Sequence, residues 1–87
     1  MISEKVILLN ETGLHARPAS VFVNTATKFK TDLIVIKGEK QANGKSILSV
    51  LGLGISKGTE ITITANGPDE EESVKALVEL IRLGINE

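Results

Sequence analysis

The only histidine of the chain lies in the run Gly13-Leu14-His15-Ala16-Arg17-Pro18-Ala19. Imidazole titrates near neutrality, so it offers a nitrogen lone pair as a nucleophile at ordinary pH. Arg17, two residues on, carries a planar guanidinium that stays charged and forks onto phosphate oxygens. Pro18 suits the first turn of a helix, where a missing N–H costs little. A helix that begins at His15 points its unpaired first amides, and the positive end of its dipole, at an anion carried on the imidazole. Gly13 permits a tight approach of the chain and a partner. The chemistry that suits this set is capture and release of a phosphoryl group. A lone histidine in a surface turn is usually only a solvated side chain, and by itself it makes a poor metal site. The grouping of His15 with Arg17, Gly13 and Pro18 at a helix start is what points to transfer.

The elements that must position this run can be read from periodicity. Residues 4–9 are mostly aliphatic and stop at the turn cluster Asn10-Glu11-Thr12-Gly13, which predicts a first strand. A helix is predicted from Ala16 to Lys28, with Ala16, Ala19, Phe22, Val23, Ala26 and Phe29 recurring at steps of three and four. Asp32 to Lys37 reads as a second strand, Gly38 as a turn, and residues 40–43 as a short edge strand. Ser46 opens a short helix that Gly52 or Gly54 closes. Glu60 to Ala65 alternates strictly, the mark of a strand with one wet and one buried face. Asp69 is placed to cap a last helix, with Glu72 in capping-box position and Val74, Leu77, Val78 and Ile81 as its core stripe. Gly84 is its natural stop. One-sided alternation requires helices on a single face. The expected fold is therefore α+β, a two-layer open-faced sandwich with a four-stranded, mainly antiparallel sheet and three helices on one face, in the order βαββαβα.

Composition narrows the function classes. The chain has 87 residues, 41% hydrophobic and 24% charged, with a net charge of −1 and no cysteine. One domain spanning 1–87 is expected, with one core and little room for a deep cleft. Without cysteine there is no disulfide, thiolate metal site or cysteine nucleophile. Nucleic-acid binders carry a basic excess and often stacking aromatics; here basic and acidic residues nearly balance and aromatic residues make up 2%. No run is long and apolar enough for a signal core or membrane insertion, so a cytoplasmic, soluble protein is expected. A monomer is expected as well. Gly44-Lys45-Ser46 mimics the tail of a phosphate-binding loop, but the glycine required at position 39 is Glu39.

Ser46 is a second chemical position. As N-cap it satisfies a helix amide, and a phosphate there would be favoured by the helix dipole. A serine N-cap is by itself only a cap. Ile47, Leu48, Val50 and Leu51 cannot all face one core from so short a helix. Val50 is the expected inward residue, and Leu48 and Leu51 the exposed ones, forming a patch beside His15.

The run Gly13 to Ala19 and the run Asn43-Gly44-Lys45-Ser46-Ile47-Leu48-Ser49-Val50-Leu51-Gly52-Leu53-Gly54-Ile55 together resemble the two signatures of HPr, the histidine-containing phosphocarrier family of the bacterial phosphoenolpyruvate-dependent sugar phosphotransferase system. The resemblance covers essentially the whole chain, with both motifs in register. It implies that His15 is phosphorylated by enzyme I, on Nδ1, and passes the group to sugar-specific IIA proteins. It implies that Arg17 stabilises the group in transfer. Ser46 would be the target of HPr kinase/phosphorylase in hosts that have it, with a catabolite-control regulator as a further partner. Ser20, Asn24, Ile47, Leu48 and Leu51 would form the partner-binding surface. No cofactor is implied, and the protein would be a relay rather than an enzyme. Leu48, Ser49 and Gly52 depart from residues common in the family, which bears on partner preference and not on the chemistry at His15. Two other readings stay open: a regulatory binding module acting through the Ser46 surface, and a nitrogen-branch phosphocarrier with different partners.

Overall fold

Strict alternation in Glu60-Ile61-Thr62-Ile63-Thr64-Ala65 sets the architecture: Ile61, Ile63 and Ala65 are buried while Thr62 and Thr64 stay half-exposed. The computed structural model describes residues 1–85. Its elements are β1 (Ile2–Ile7), α1 (Ala16–Ala26), β2 (Asp32–Lys37), β3 (Lys40–Asn43), α2 (Ile47–Leu51), β4 (Glu60–Asn66) and α3 (Glu70–Arg82). The strands form one sheet in the order β1-β4-β2-β3, and every pairing is antiparallel. The fold is thus the open-faced sandwich that the pattern predicts, with the antiparallel character complete rather than partial.

The apolar stripes of the helices meet the inward residues of the sheet. Phe22, Val35, Val50, Ile63, Leu77 and Ile81 are fully buried in one core. Each such side chain contributes about 1.5–3 kcal/mol over the exposed state. All four residues of the predicted α3 stripe are buried. Helix α3 ends in a Schellman motif: the Gly84 N–H donates to Ile81 O and the Ile85 N–H to Leu80 O, each at 3.0 Å.

Several boundaries differ from the sequence reading, for identifiable reasons. Strand β1 begins two residues earlier and ends at Ile7: its ladder with β4 runs from Ile2↔Ala65 to Ile7↔Glu60, and Leu8 then bonds to the turn before β4, donating to Thr59 O at 3.0 Å and accepting from the Gly58 N–H at 2.7 Å. Helix α1 stops at Ala26, two residues short of Lys28. The Thr27 hydroxyl donates back to Asn24 O at 2.9 Å, and Lys28 and Phe29 make tighter bonds to Thr25 O and Ala26 O. Ala16 is exposed and Phe29 half-buried, so neither belongs fully to the helix stripe.

The predicted capping box at α3 does not form. Asp69 occupies the N-cap position but makes no side-chain cap bond. Its carboxylate instead accepts from the Lys30 N–H at 3.1 Å and the Thr31 N–H at 3.0 Å. Two amides that leave α1 without helical partners need acceptors, and one ionised carboxylate takes both. Glu70, rather than Glu72, reaches back to the Gly67 N–H at 3.2 Å and also pairs with the Met1 ammonium at 3.0 Å.

These ties make the fold acid-sensitive. The Thr31 hydroxyl facing Asp69, at a geometry short of a formed bond, and then the Lys30 and Thr31 amides hold its carboxyl below the usual range. The Gly67 amide and then the Met1 ammonium do the same for Glu70. A carboxyl whose pKa is lower folded than unfolded contributes stability that is complete above its unfolded value and is lost as pH falls through its folded value. The thermal midpoint should therefore fall between about pH 5 and pH 2. Asp69→Asn should be less stable at neutral pH and show a shallower acid slope, measured by circular dichroism melts. An unchanged slope removes Asp69 from this account.

Candidate functional site

His15 is exposed at the N-cap of α1, with φ −83° and ψ −168°, and its ring makes no capping bond. Its carbonyl accepts the first helical bond, from the Ala19 N–H at 2.7 Å. Pro18 has no N–H, so the amides without a helical partner in this turn are those of Ala16 and Arg17. The N-terminal turn of an eleven-residue helix therefore opens beside the imidazole. Arg17 is exposed in the same turn. Among the described residues its guanidinium has no ion-pair partner. Glu11, the acid nearest before it in sequence, is already paired with Lys57 at 2.9 Å. The Lys57 hydrogen bond and then its charge hold the Glu11 carboxyl below the usual range.

The loop that delivers His15 is anchored from the inside. Leu14 is buried, and its N–H donates to Ile55 O at 3.0 Å. The Asn10 side-chain amide donates to Gly13 O at 2.8 Å and to the Thr12 hydroxyl at 3.3 Å. Gly13 is buried with φ +58°. A Cβ there would lie 2.4 Å from Ile55 O and 2.6 Å from the Ser56 Cα. Gly13 thus serves a close approach to its own chain, not to a partner, which corrects the sequence reading. Leu14, His15, Leu51, Gly54, Ile55 and Ser56 line one shallow depression of about 180 Å³. Residues 54–56 formed no part of the predicted site. The interlude between α2 and β4 carries no periodic signal, so only the fold reveals that it walls the imidazole.

Helix α2 packs beside α1. Ser46 is its N-cap, half-buried, and its Oγ accepts from the Ser49 N–H at 3.4 Å, a long and weak cap. Val50 is buried, as its position predicts. Leu48 is 79% exposed. Leu51, expected on the surface, is half-buried against the core and touches the His15 depression with its remaining surface. Ile47, at 36% exposure, is the second open apolar residue of this helix. On α1, Asn24 is exposed and Ser20 half-exposed, one turn apart.

The family model described as the PTS HPr component phosphorylation site matches residues 2–82. The phosphocarrier protein HPr of Mycoplasma capricolum is 44% identical over 77 residues, 88% of this chain and 86% of that protein. The HPr-like protein Crh of Bacillus subtilis is 40% identical over 82 residues, 94% of this chain and 96% of that one. The crystal structure of HPr-C-His from Thermoanaerobacter tengcongensis superposes with a TM-score of 0.97 at 46% identity, covering 100% of this chain and 98% of that one. The chain belongs to the HPr family of phosphocarrier proteins of the phosphotransferase system.

Proposed function

We propose that the chain, acting as a single domain, relays a phosphoryl group through His15, from phosphorylated enzyme I to sugar-specific IIA proteins. The observation that carries this is the exposed imidazole at the N-cap of α1, with free amides and an unneutralised Arg17 in the same turn. An imidazole lone pair, on Nδ1 by family resemblance, attacks phosphorus. A P–N bond forms as the bond from phosphorus to the donor breaks, and the donor keeps that electron pair. The second transfer repeats the exchange, with His15 as leaving group. Little covalent chemistry is asked of the protein; its part is positioning and charge stabilisation. The helix amides and Arg17 supply donors for the phosphoryl oxygens.

Leu48 and Ile47, with Ser20 and Asn24, form the surface on which partners dock, and Leu51 closes it toward His15. Ser46 is the proposed regulatory position. A phosphate there adds about −2 of charge at the edge of this surface, which would alter docking by charge. The partners for that step are HPr kinase/phosphorylase and a catabolite-control regulator. A second reading, in which the Ser46 surface alone does the work, is favoured by the match to Crh, which is described as a catabolite repression HPr of Bacillus subtilis.

Incubated with enzyme I and phosphoenolpyruvate, the chain should gain one phosphoryl group at residue 15, lost in acid and retained in base. Mass spectrometry of the intact and digested chain reads both. A label that survives acid, or that sits on Ser46 alone, overturns the relay.

A further inference from the structure

Lys37 is the last residue of β2 and is half-buried. Its Nζ donates to Leu53 O and to Gly54 O, each at 3.0 Å. Both carbonyls lie just past the end of α2, where the helix supplies no more donors: the Leu53 and Gly54 amides already turn back to Val50 O and Leu51 O. One ammonium, with three donors, closes both. The very next carbonyl, Ile55 O, holds the Leu14 N–H, and Leu14 precedes His15. Gly54 and Ile55 also form the wall of the depression that His15 lines.

We infer that Lys37 is a positioning residue for His15: it locks the 53–55 wall, and through the Ile55–Leu14 bond it fixes where the imidazole stands. The inference deepens the relay proposed above and rests on it for its functional consequence. A charge-assisted bond is stronger than a neutral one, and here two of them hold a segment that has no ladder of its own. Without the ammonium the wall keeps its backbone bonds but gains freedom, and phosphoryl transfer is sensitive to small displacements of the attacking atom. Arg17 and the helix amides touch the phosphoryl group; Lys37 acts only through the loop.

The test compares wild type, Lys37→Met and Lys37→Arg as full chains. Amide hydrogen exchange measured by NMR should show Leu14 exchanging about tenfold faster in Lys37→Met, while the β2 and β4 amides keep their protection. Turnover with enzyme I and phosphoenolpyruvate should fall about threefold to tenfold, with KM for enzyme I within about twofold of wild type. Lys37→Arg, which can still reach two carbonyls, should restore both readouts. A lysine that merely stabilises the fold would speed exchange in sheet and loop alike, and that result overturns the inference, as does a Leu14 rate unchanged in Lys37→Met. Should Lys37→Met fail to fold, the same comparison is made with Lys37→Gln. If the wild type itself takes up no phosphate, the relay reading fails, and the Leu14 exchange still decides whether Lys37 holds the loop.

Discussion

His15→Ala is expected to lose phosphoryl uptake from enzyme I by more than about 10³-fold, while folding as well as the wild type. The two halves of that expectation have different causes. No other imidazole exists in the chain to take over as nucleophile. Neither Ser20 nor Ser46 offers a comparable lone pair at neutral pH, since a hydroxyl needs a base to activate it. Stability should be nearly untouched, because the ring is exposed and makes no capping bond. Surface changes of this kind usually stay within about 0.5 kcal/mol. Arg17→Ala should slow transfer about a hundredfold with His15 still labelled at long times. Arg17→Lys should fall between, since it keeps the charge and loses the fork. Radiolabel uptake over time separates the three variants. Equal labelling of His15→Ala and wild type ends the relay account. A His15→Ala strain with sugar uptake and catabolite control both unchanged, beside a Ser46→Asp variant whose partner binding changes, would favour the regulatory reading.

Local pattern carried most of the fold. Strands β2 and β3 fall on the predicted residues because a short apolar run, Leu33 to Ile36, and the turn at Gly38 are read within a few positions. Helix α3 kept its predicted stripe, since a core face is written in the spacing of Val74, Leu77, Val78 and Ile81. The N-cap placement of His15 was legible for the same reason: Pro18 and the following periodicity mark where α1 can start. What escaped is what depends on distant partners. Asp69 has all the local credentials of a cap, yet its oxygens go to amides 38 and 39 positions earlier. Lys37 looks like the polar end of a strand until its ammonium meets carbonyls 16 and 17 positions later. Helix geometry alone puts Leu51 on the surface, and its half-burial depends on the core beneath it. In each case the side chain chooses among acceptors or surfaces that only the assembled sheet and helices bring near.

Gly13 offers the sharpest check on how the loop delivers His15. Gly13→Ala should cost about 2–5 kcal/mol, the sum of a left-handed backbone penalty and a steric overlap. The overlap is severe because the nearest atoms are backbone: Ile55 O at 2.4 Å and the Ser56 Cα at 2.6 Å cannot rotate aside like a flexible side chain. Either the 55–56 segment retreats, which strains the Leu14–Ile55 bond, or residues 13–14 lift out and expose Leu14. A domain of this size loses about 4–8 °C of thermal midpoint per kcal/mol, so a drop of about 8–40 °C is expected. Gly38→Ala is the matched control. Its φ is +60°, nearly that of Gly13, but nothing lies within 4 Å of the added Cβ. It should lose only the backbone share, about 1–2 kcal/mol. The difference between the two variants isolates the contact with Ile55 and Ser56 from the handedness of the turn. Phosphoryl uptake, measured well below the melting point of both, should also fall in Gly13→Ala and stay normal in Gly38→Ala, because only the first displaces the residue before His15. Equal melting points for the two variants would mean that the loop yields freely at Ile55, and that the imidazole is held by the helix start alone.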